Sequence, residues 1–330
     1  MHDLSAPTQK QMAARLGVSQ ALVSRALSGR ADEIGASQAT VEKICRMAAE
    51  WNYQPSATAL ALLGAPTRTI GVVVKNFDDP YFGTLIGALQ TLAREHKHSL
   101  LLTGPSKEDL SGLQRHRVDA VILTGSDFLP DGPVNFERII QIGTGTIFPG
   151  ATQIHMDEES GIGEAVDYLA GLGHREIGFV AKDAGANRRR AEMLRHALCE
   201  RGFSVRTKSF ISFEGTDGQA AERAVKALLG LARMPTAVVA AEDSIALALL
   251  RALHEAGLRV PQDISVAGID DIPASAQAIP PLTTLRQPIF EMAAAAYRAI
   301  TDRKQKTISI PGTLMIRSSC APIHSHSKIQ

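Results

Sequence analysis

The residues of this chain that could perform catalysis do not form a recognisable catalytic motif. Gly161 and Gly163 give a short Gly-x-Gly pattern, but the third glycine and the preceding strand of a dinucleotide site are absent. The acidic run Asp157–Glu159 is explained more simply as favourable negative charge at the start of a helix. A phosphate-binding P-loop is also absent from the sequence. We therefore expect no catalytic residue, no cofactor and no enzymatic activity.

Cysteine and histidine spacing predicts neither a metal site nor a disulfide. Cys45, Cys199 and Cys320 are far apart and lack the paired spacing of metal ligands. His324 and His326 follow Cys320 closely, but a polar tail is the simpler interpretation of this segment. An odd number of separated cysteines is typical of a protein in the reducing cytosol.

The composition is that of an ordinary globular protein large enough for more than one hydrophobic core. Of the 330 residues, 45% are hydrophobic and 21% are charged, and the formal net charge is +1. A nucleic-acid function must therefore rest on geometry rather than on overall charge. The polar start Met1–Thr8 lacks the apolar segment of a signal peptide, and no apolar run approaches the ~20 residues of a membrane span. We expect a cytoplasmic protein without a membrane partner.

The first part of the chain carries the start and stop signals of three helices. Thr8 and Gln11 form the pattern of a capping box, and Gly17 ends the apolar face of this first helix. Ser19 can cap a second helix after a very short turn, which is the layout of a helix-turn-helix motif. A third helix is predicted from Ser37, because apolar residues then recur at three- and four-residue spacing.

The predicted second helix has an inward apolar face and an outward face that could read DNA. The outward residues are Gln20, Ala21, Ser24 and Arg25, and the inward residues are Val18, Val23, Ala26 and Leu27. Glutamine pairs with adenine, arginine with guanine, and alanine with the methyl group of thymine. Ser19 and Thr8, at helix N-termini, are candidates for contacts to the DNA backbone. The alternative is a plain three-helix scaffold in which Arg25 is merely solvated.

These helices and the segment after them resemble the DNA-binding head of the lactose-repressor/galactose-repressor family. The resemblance rests on Gly-Val-Ser-x-x-x-Val-Ser-Arg-Ala-Leu at residues 17–27, on Tyr53-x-Pro55, and on the Ala/Leu-rich segment that follows. The loop Arg30–Ala36 is longer than the usual loop of the family.

The resemblance implies roles for individual residues of this head. The glutamine, the alanine and the arginine of the outward face would read bases in the major groove. Leu62 would enter the minor groove at the operator centre, with Leu60 and Leu63 as alternatives. The segment around Leu62 contains helix-forming residues but is too short to be a stable helix alone, since isolated helices below ~12–15 residues are marginal in water. We expect a hinge helix that folds only when it is docked.

After Thr67 the pattern changes to short apolar runs that alternate with helical segments. Such runs are typical of parallel strands covered by helices on both faces. The series occurs twice, which predicts an α/β fold of two doubly wound lobes with a ligand cleft at the carboxyl ends of the strands. The predicted strands are Ile70–Val74, Leu100–Thr103, Ala120–Thr124, Ile139–Ile142, Ile177–Ala181, Ala237–Ala240 and Ile264–Gly268. The predicted helices are Phe82–Glu95, Ile162–Leu172, Arg190–Arg201, Gly218–Leu231 and Ser244–Ala256.

This second part of the chain resembles the body of the same family, which is similar to periplasmic sugar-binding proteins. Its marks include Asp-Pro-Tyr-Phe at residues 79–82, Gly-Ile-Asp-Asp-Ile-Pro at 268–273 and Thr-Thr-Leu-Arg-Gln-Pro at 283–288. The match runs to about Cys320.

By this resemblance the cleft would bind a sugar-like ligand through residues of both lobes. The implied ligand-binding residues are Tyr81, Phe82, Arg190, Phe213, Glu242 and Asp270. Aromatic rings would cover the C–H face of the ligand, and the arginine and aspartate would fix its hydroxyl groups. Glu242 and Gly143 stand where the family commonly has asparagine and aspartate. The arginines at 189 and 190 favour an acidic sugar whereas Glu242 opposes one, so the charge of the ligand stays open.

The predicted domain organisation follows from these segments. The helix-turn-helix head occupies residues 1–53, the hinge helix and linker 54–66, the effector-binding body 67–323 and a tail 324–330. Within the body, the first lobe is expected at about 67–152 and 288–314, and the second at about 153–287 and 315–323.

The predicted function is a ligand-responsive repressor of genes for the uptake and catabolism of a carbohydrate or a related small metabolite. A homodimer would bind a pseudopalindromic operator, since paired heads require two-fold related half-sites. The alternatives are a purine-responsive regulator of the same architecture and a solute-binding protein of a transport system, which should begin with an export signal. The segment after Cys320 lacks a leucine heptad repeat, which predicts a dimer without a C-terminal tetramerisation coil.

Overall fold

The computed structural model describes residues 8–28, 31–53, 67–125, 136–183, 185–215, 217–302, 304 and 306–323. The chain forms two compact units, Met1–Arg68 and Thr69–Gln330. The segment 54–66, which includes the predicted hinge helix and Leu62, lies outside the described residues.

The first unit contains the three predicted helices, and each begins where the sequence indicated. The described helices are α1 (Gln9–Leu16), α2 (Gln20–Leu27) and α3 (Gln38–Glu50), with a 3₁₀ turn at Ala31–Ile34 in the long loop. The Thr8 hydroxyl accepts a hydrogen bond from the Gln11 amide, and the Gln11 side chain accepts one from the Thr8 N–H at 2.8 Å. Ser19 and Ser37 cap α2 and α3 in the same way. The predicted capping box and the predicted Ser19 cap are therefore confirmed, and the third helix begins after Ser37 as predicted.

A small apolar core holds these helices together. Met12, Val23 and Ile44, one from each helix, are fully buried. The turn between α1 and α2 is made by Gly17, whose φ of 65° lies in the left-handed region that favours glycine. The outward and inward faces predicted for α2 agree with its burial, although Val18 and Leu27 are only half-buried.

The second unit is built on two six-stranded sheets. Its described strands are β1 (Thr69–Val73), β2 (Ser99–Thr103), β3 (Ala120–Thr124), β4 (Ile139–Ile142), β5 (Thr152–Asp157), β6 (Ile177–Lys182), β7 (Phe210–Phe213), β8 (Ala237–Ala240), β9 (Ser265–Asp270), β10 (Thr283–Arg286), β11 (Thr307–Pro311) and β12 (Thr313–Met315). The strand orders are β11-β5-β4-β3-β1-β2 and β12-β10-β9-β8-β6-β7. The described pairings are parallel except that of β12 with β10, so the predicted α/β fold is confirmed with one antiparallel edge strand added.

Alternate residues of a strand point to opposite faces of the sheet, so both faces of these apolar strands need to be covered by helices. The described helices are α4 (Pro80–Glu95), α5 (Lys107–Arg115), α6 (Glu158–Gly171), α7 (Gly185–Glu200), α8 (Asp217–Leu229), α9 (Asp243–Glu255), α10 (Pro273–Gln277) and α11 (Ile289–Thr301). In the first sheet, Val72 belongs to the core formed with α4 and α11, whereas its neighbour Val73 belongs to the core formed with α5. No helix in the described part of the chain is both long and apolar enough to cross a membrane.

The chain passes between the two sheets at places that differ from the predicted lobe boundaries. The strand Thr152–Asp157 pairs within the first sheet, so the first lobe continues to Asp157 and does not end near residue 152. The strand Thr313–Met315 pairs within the second sheet, so the chain has already returned there before residue 315. Gly312 lies between the two strands at this last crossing. A larger residue would not fit there, because a Cβ atom would lie 2.7 Å from the Met156 sulfur and 3.1 Å from the Arg286 carbonyl oxygen.

A buried carboxylate organises the second lobe beside the cleft. Asp243, at the start of α9, is fully buried. It accepts hydrogen bonds from the Ser275 and Thr284 hydroxyls, both at 2.6 Å, and from the Ile272 amide at 3.0 Å. These donors come from α10, from β10 and from the loop after β9, so one side chain fixes the three segments relative to α9.

We predict that Asp243→Ala lowers the free energy of unfolding by about 3 kcal/mol, because it leaves three buried donors without an acceptor. Asp243→Asn keeps one carbonyl oxygen and should lose less. Urea unfolding followed by circular dichroism measures both. Asp167→Ala is the control, since Asp167 pairs with Arg201 on the surface, and a loss at residue 167 equal to that at residue 243 would contradict the role assigned to Asp243.

Candidate functional site

A cavity of about 440 Å³ lies where the carboxyl ends of the strands of both sheets meet. Parallel sheets place ligand sites at this edge, because the loops and helix starts that follow the strands converge there. All six predicted ligand residues line the cavity, namely Tyr81, Phe82, Arg190, Phe213, Glu242 and Asp270.

The apolar wall of the cavity comes from both lobes. Tyr81 and Phe82 lie in the first turn of α4, which is capped by Asp79 and begins with Pro80. Their rings meet edge to face with centroids 5.1 Å apart, and both side chains are largely buried. Phe213 is half-buried at the end of β7 on the second lobe. A flat ligand face of C–H groups can therefore contact aromatic rings of both lobes.

The polar part of the cavity is centred on the buried guanidinium of Arg190. Its Nε and Nη2 donate to Glu158 Oε1 at 2.9 and 2.6 Å, and its Nη1 donates to the carbonyl oxygen of Ala241 at 2.6 Å. Burial by itself lowers the pKa of Arg190, but the charges of Glu158 and then Asp270 outweigh burial and raise the pKa above its ordinary value. Arg190 is therefore a fixed cation, and much of its hydrogen-bonding capacity is used within the protein.

Asp270 lies at the end of β9 in an unusual backbone conformation. Its φ of 124° is one that residues with a side chain rarely adopt. Its Oδ1 accepts a hydrogen bond from Gln287 Nε2 at 2.6 Å and lies 3.7 Å from Arg190 Nη2. Burial raises the pKa of Asp270 well above its ordinary value, Arg190 acts in the opposite direction, and the charge of Asp243 adds to the increase. The Asp270 carboxyl therefore lines the cavity although both its burial and its rare backbone conformation cost free energy of folding.

Several lining residues were not predicted from the sequence. Glu158 was interpreted as a favourable charge at the start of a helix, and α6 does begin there, but its side chain is only 5% exposed and forms the ion pair with Arg190. Lys182 lies 3.4 Å from Glu242. Thr144 donates to Glu158 at 3.4 Å. The acidic run was the only sequence signal at Glu158. Its burial opposite Arg190 depends on the tertiary fold and could not be predicted from the run.

Gly143 also lines the cavity, and its geometry explains the absence of an acidic side chain there. Its φ is 138°, and a Cβ atom would lie 2.9 Å from the carbonyl carbon of Gly125. An aspartate at this position would require the backbone of the β3–β4 edge to move. The first lobe therefore contributes no carboxylate at residue 143.

The other sequence candidates lie elsewhere. Gly161 belongs to α6 and packs against Leu285, where a Cβ atom would be only 2.6 Å from a leucine methyl carbon. Among the described residues, no group of three histidine, cysteine or acidic side chains could hold a metal, and His324 and His326 lie outside those residues. Burial raises the pKa of the Cys320 thiol to about 11.

In the first unit, the structure leaves the predicted DNA-reading side chains at the surface. Gln20 and Ala21 are exposed, and Ser24 and Arg25 are partly exposed on the same helix. Thr8 and Ser19 are exposed at the starts of α1 and α2. The face of α2 opposite the small core is thus available for a groove of DNA.

We predict that Asp270→Asn changes stability with a definite dependence on pH. With a raised pKa, the folded chain binds a proton at this carboxyl more readily than the unfolded chain. Its contribution to stability is full below the unfolded pKa and is lost as pH rises through the folded pKa. The neutral amide of the variant has no such titration, so the unfolding free energy of the variant minus that of the wild type should increase as pH rises above about 4, the ordinary pKa of aspartate.

Chemical denaturation at a series of pH values tests this prediction. Asp167→Asn is the matched control with the opposite sign, because the hydrogen bond from Arg201 lowers the pKa of Asp167. The stabilising contribution of Asp167 is present above its unfolded pKa and is lost as pH falls. A constant difference for Asp270→Asn would contradict the raised pKa.

Comparisons with known proteins agree with both units. A family model for a periplasmic binding protein-like domain matches residues 166–320. The HTH-type transcriptional regulator GalS of Salmonella typhimurium is 32% identical over 340 residues, covering 96% of each chain. The HTH-type transcriptional repressor PurR of Mannheimia succiniciproducens is 29% identical over 337 residues, covering 96% of this chain and 99% of PurR.

Solved structures show the same fold. The lac repressor dimer bound to operator and an anti-inducer has a TM-score of 0.80 at 24% identity, covering 96% of this chain and 100% of that chain. A LacI family regulator of Enterococcus faecium with bound ribose has a TM-score of 0.67 at 26% identity, covering 78% of this chain and 100% of that chain. With an N-terminal helix-turn-helix unit, a cleft between two α/β lobes and a relative similar along nearly its whole length, the chain belongs to the lactose-repressor/galactose-repressor (LacI/GalR) family of ligand-responsive transcriptional regulators.

Proposed function

We propose that this protein represses genes for the uptake and catabolism of a carbohydrate, and that a sugar or sugar derivative in the cleft controls its affinity for operator DNA. The observation that carries the proposal is the cavity between the lobes, where aromatic rings from both lobes face a set of buried charged groups. Stacking on a C–H face combined with fixed hydrogen-bonding groups is the chemistry that recognises a sugar.

On the DNA side, the exposed face of α2 would enter the major groove. Gln20 and Arg25 have the hydrogen-bonding groups that distinguish adenine and guanine, and Ala21 has the size to contact a thymine methyl. Ser19 and Thr8 would contact the sugar-phosphate backbone. A homodimer would place two such helices on the half-sites of a pseudopalindromic operator.

The switch requires two arrangements of the lobes that differ in ligand affinity. A ligand bound to Phe213 and Asp270 of the second lobe and to Tyr81 of the first stabilises the arrangement in which these residues approach one another. Only this difference in binding free energy can change operator affinity. The segment 54–66 would transmit it as a hinge helix that folds against DNA, with Leu62 in the minor groove.

A purine-responsive regulator is the second candidate, and the similarity to PurR favours it. Phe213 could stack on a planar base as well as on a sugar ring. Catalysis is not part of the proposal, because Arg190 and Lys182 are paired with Glu158 and Glu242 rather than arranged to activate a nucleophile. Binding to chromosomal DNA would place the protein in the cytoplasm.

A gel-shift assay with DNA from upstream of the protein's own gene and its neighbours tests the proposal. We expect a sequence-selective complex that weakens with salt, because phosphate contacts release counterions. The assay is then repeated with sugars, sugar derivatives and purines, one of which should change the affinity. A protein that binds all DNA equally, or whose operator affinity no compound changes while its melting temperature also stays constant, would contradict the proposal.

We predict that Arg25→Ala weakens operator binding about tenfold or more, because an arginine–guanine contact contributes about 1–3 kcal/mol of discrimination. Binding to random DNA should change much less. Arg46→Ala is the matched control, since Arg46 is an exposed arginine on α3 and not on α2. Fluorescence anisotropy with labelled operator measures both, and equal losses would show that Arg25 contributes only general positive charge.

We also predict that Leu62→Ala weakens operator binding while ligand binding and the unfolding of the body stay unchanged. The reason is that the Leu62 side chain would insert into the minor groove only at the operator centre, where the two hinge segments of the dimer meet. Anisotropy with operator and with random DNA distinguishes the roles, since an equal loss on both would contradict a wedge at the operator centre.

A further inference from the structure

Five charged side chains of the cavity lining, three of them buried and two half-buried, do not balance in charge. Three carboxylates, those of Glu158, Glu242 and Asp270, face two cations, Arg190 and Lys182. A buried charge is costly unless an opposite charge and hydrogen bonds compensate it. The way in which the two cations are divided among the three carboxylates therefore indicates which charge a ligand must supply.

Each of the two cations is paired with a carboxylate. Arg190 directs two of its nitrogen atoms at the same oxygen of Glu158. Lys182 Nζ lies 3.4 Å from Glu242 Oε2, as an ion pair without a hydrogen bond to that oxygen. Arg190 reaches Asp270 only at 3.7 Å, beyond the length of a hydrogen bond.

Asp270 is the carboxylate left in excess. It is 6% exposed, and its Oδ1 accepts from the neutral amide of Gln287. Among the described residues no donor binds its Oδ2, although the residue lines the cavity. A neutral amide supplies a hydrogen bond but no charge, and the nearest cation, Arg190, is shared with Glu158, which it contacts at 2.6 Å rather than 3.7 Å. Asp270 therefore has no cation of its own among the described residues.

The remaining charged residues of the lining do not supply that partner. Lys75 and Glu214 are exposed and of opposite sign. Asp183 is paired with Arg188 at 2.6 Å, and Asp79 caps α4. Solvent screens such groups far more than it screens Asp270.

We propose that the effector of this regulator carries a protonated amino group, as an amino sugar does, and that this group binds Asp270 beside Glu242. This inference rests on the function proposed above. An ammonium donates three hydrogen bonds and brings the missing charge to a buried carboxylate. A sugar acid would instead add a carboxylate to a site that already has an excess of them. The ring of the same ligand would contact Tyr81 and Phe213.

The test is a titration of the full-length protein with matched sets of compounds, measured by isothermal calorimetry. Each set contains a hexosamine, the parent hexose, the N-acetyl derivative and the uronic acid, in the gluco, galacto and manno series. At neutral pH we expect one hexosamine to bind roughly tenfold or more tightly than its parent hexose, as expected for a partly buried charge pair. The N-acetyl derivative, which keeps the size but loses the charge, and the uronic acid should both bind less tightly.

Two variants separate this charge effect from general damage to the site. Asp270→Asn should bring the affinity ratio of hexosamine to hexose close to one, because the amide keeps the shape but removes the charge. Asp167→Asn removes a surface carboxylate outside the cavity and should leave the ratio unchanged. Melting curves of both variants show that they are folded.

Each outcome decides the inference. A hexosamine preference that Asp270→Asn abolishes supports it. A hexose or a uronic acid that binds at least as tightly as the hexosamines, a preference that survives in Asp270→Asn, or no binding of any hexosamine at millimolar concentration overturns it. Release of operator by a neutral sugar would reject the amino group and leave the regulator standing. A protein that binds operator neither without nor with any of the compounds would reject the proposed function itself.

Discussion

The burial of one guanidinium determines the organisation of the cleft. Arg190 is held by Glu158, at the point where the chain leaves the first sheet, and by the carbonyl oxygen of Ala241 after β8. Its charge also acts on Asp270 at the end of β9. Breaking a buried pair by removing one partner leaves an uncompensated charge and typically costs several kcal/mol. Three separate segments are therefore fixed around one cation before any ligand binds.

The parts of the fold that could be predicted from the sequence are those specified by neighbouring residues. Continuous apolar runs gave Ala120–Thr124 and Ala237–Ala240 with their observed bounds, and the capping pattern at Thr8 was confirmed as an actual pair of hydrogen bonds. The strand Thr152–Asp157 was missed because polar residues interrupt its apolar ones, and this omission shifted the predicted lobe boundary. Helix Lys107–Arg115 was missed because only Leu110 and Leu113 of its short sequence are buried.

The charge balance of the cleft could not be predicted from the sequence, because it depends on which ions pair across the fold. The six residues that the resemblance implied, including Arg190, all line the cavity, but the resemblance left Arg190 as a partner for an acidic ligand. The structure shows its guanidinium facing Glu158, a residue 32 positions away in the sequence. Sequence patterns report helix starts and apolar faces, whereas the partner of a buried charge is set by packing between elements that are distant along the chain.

The proposed switch depends on a single coupling between the ligand cleft and the DNA-binding head. The most direct measurement is the affinity for operator with and without saturating hexosamine, together with the affinity for that hexosamine with and without saturating operator. Thermodynamic linkage requires both affinities to change by the same factor. We predict a common factor clearly different from one. A ligand that binds free and operator-bound protein with equal affinity would contradict the coupling.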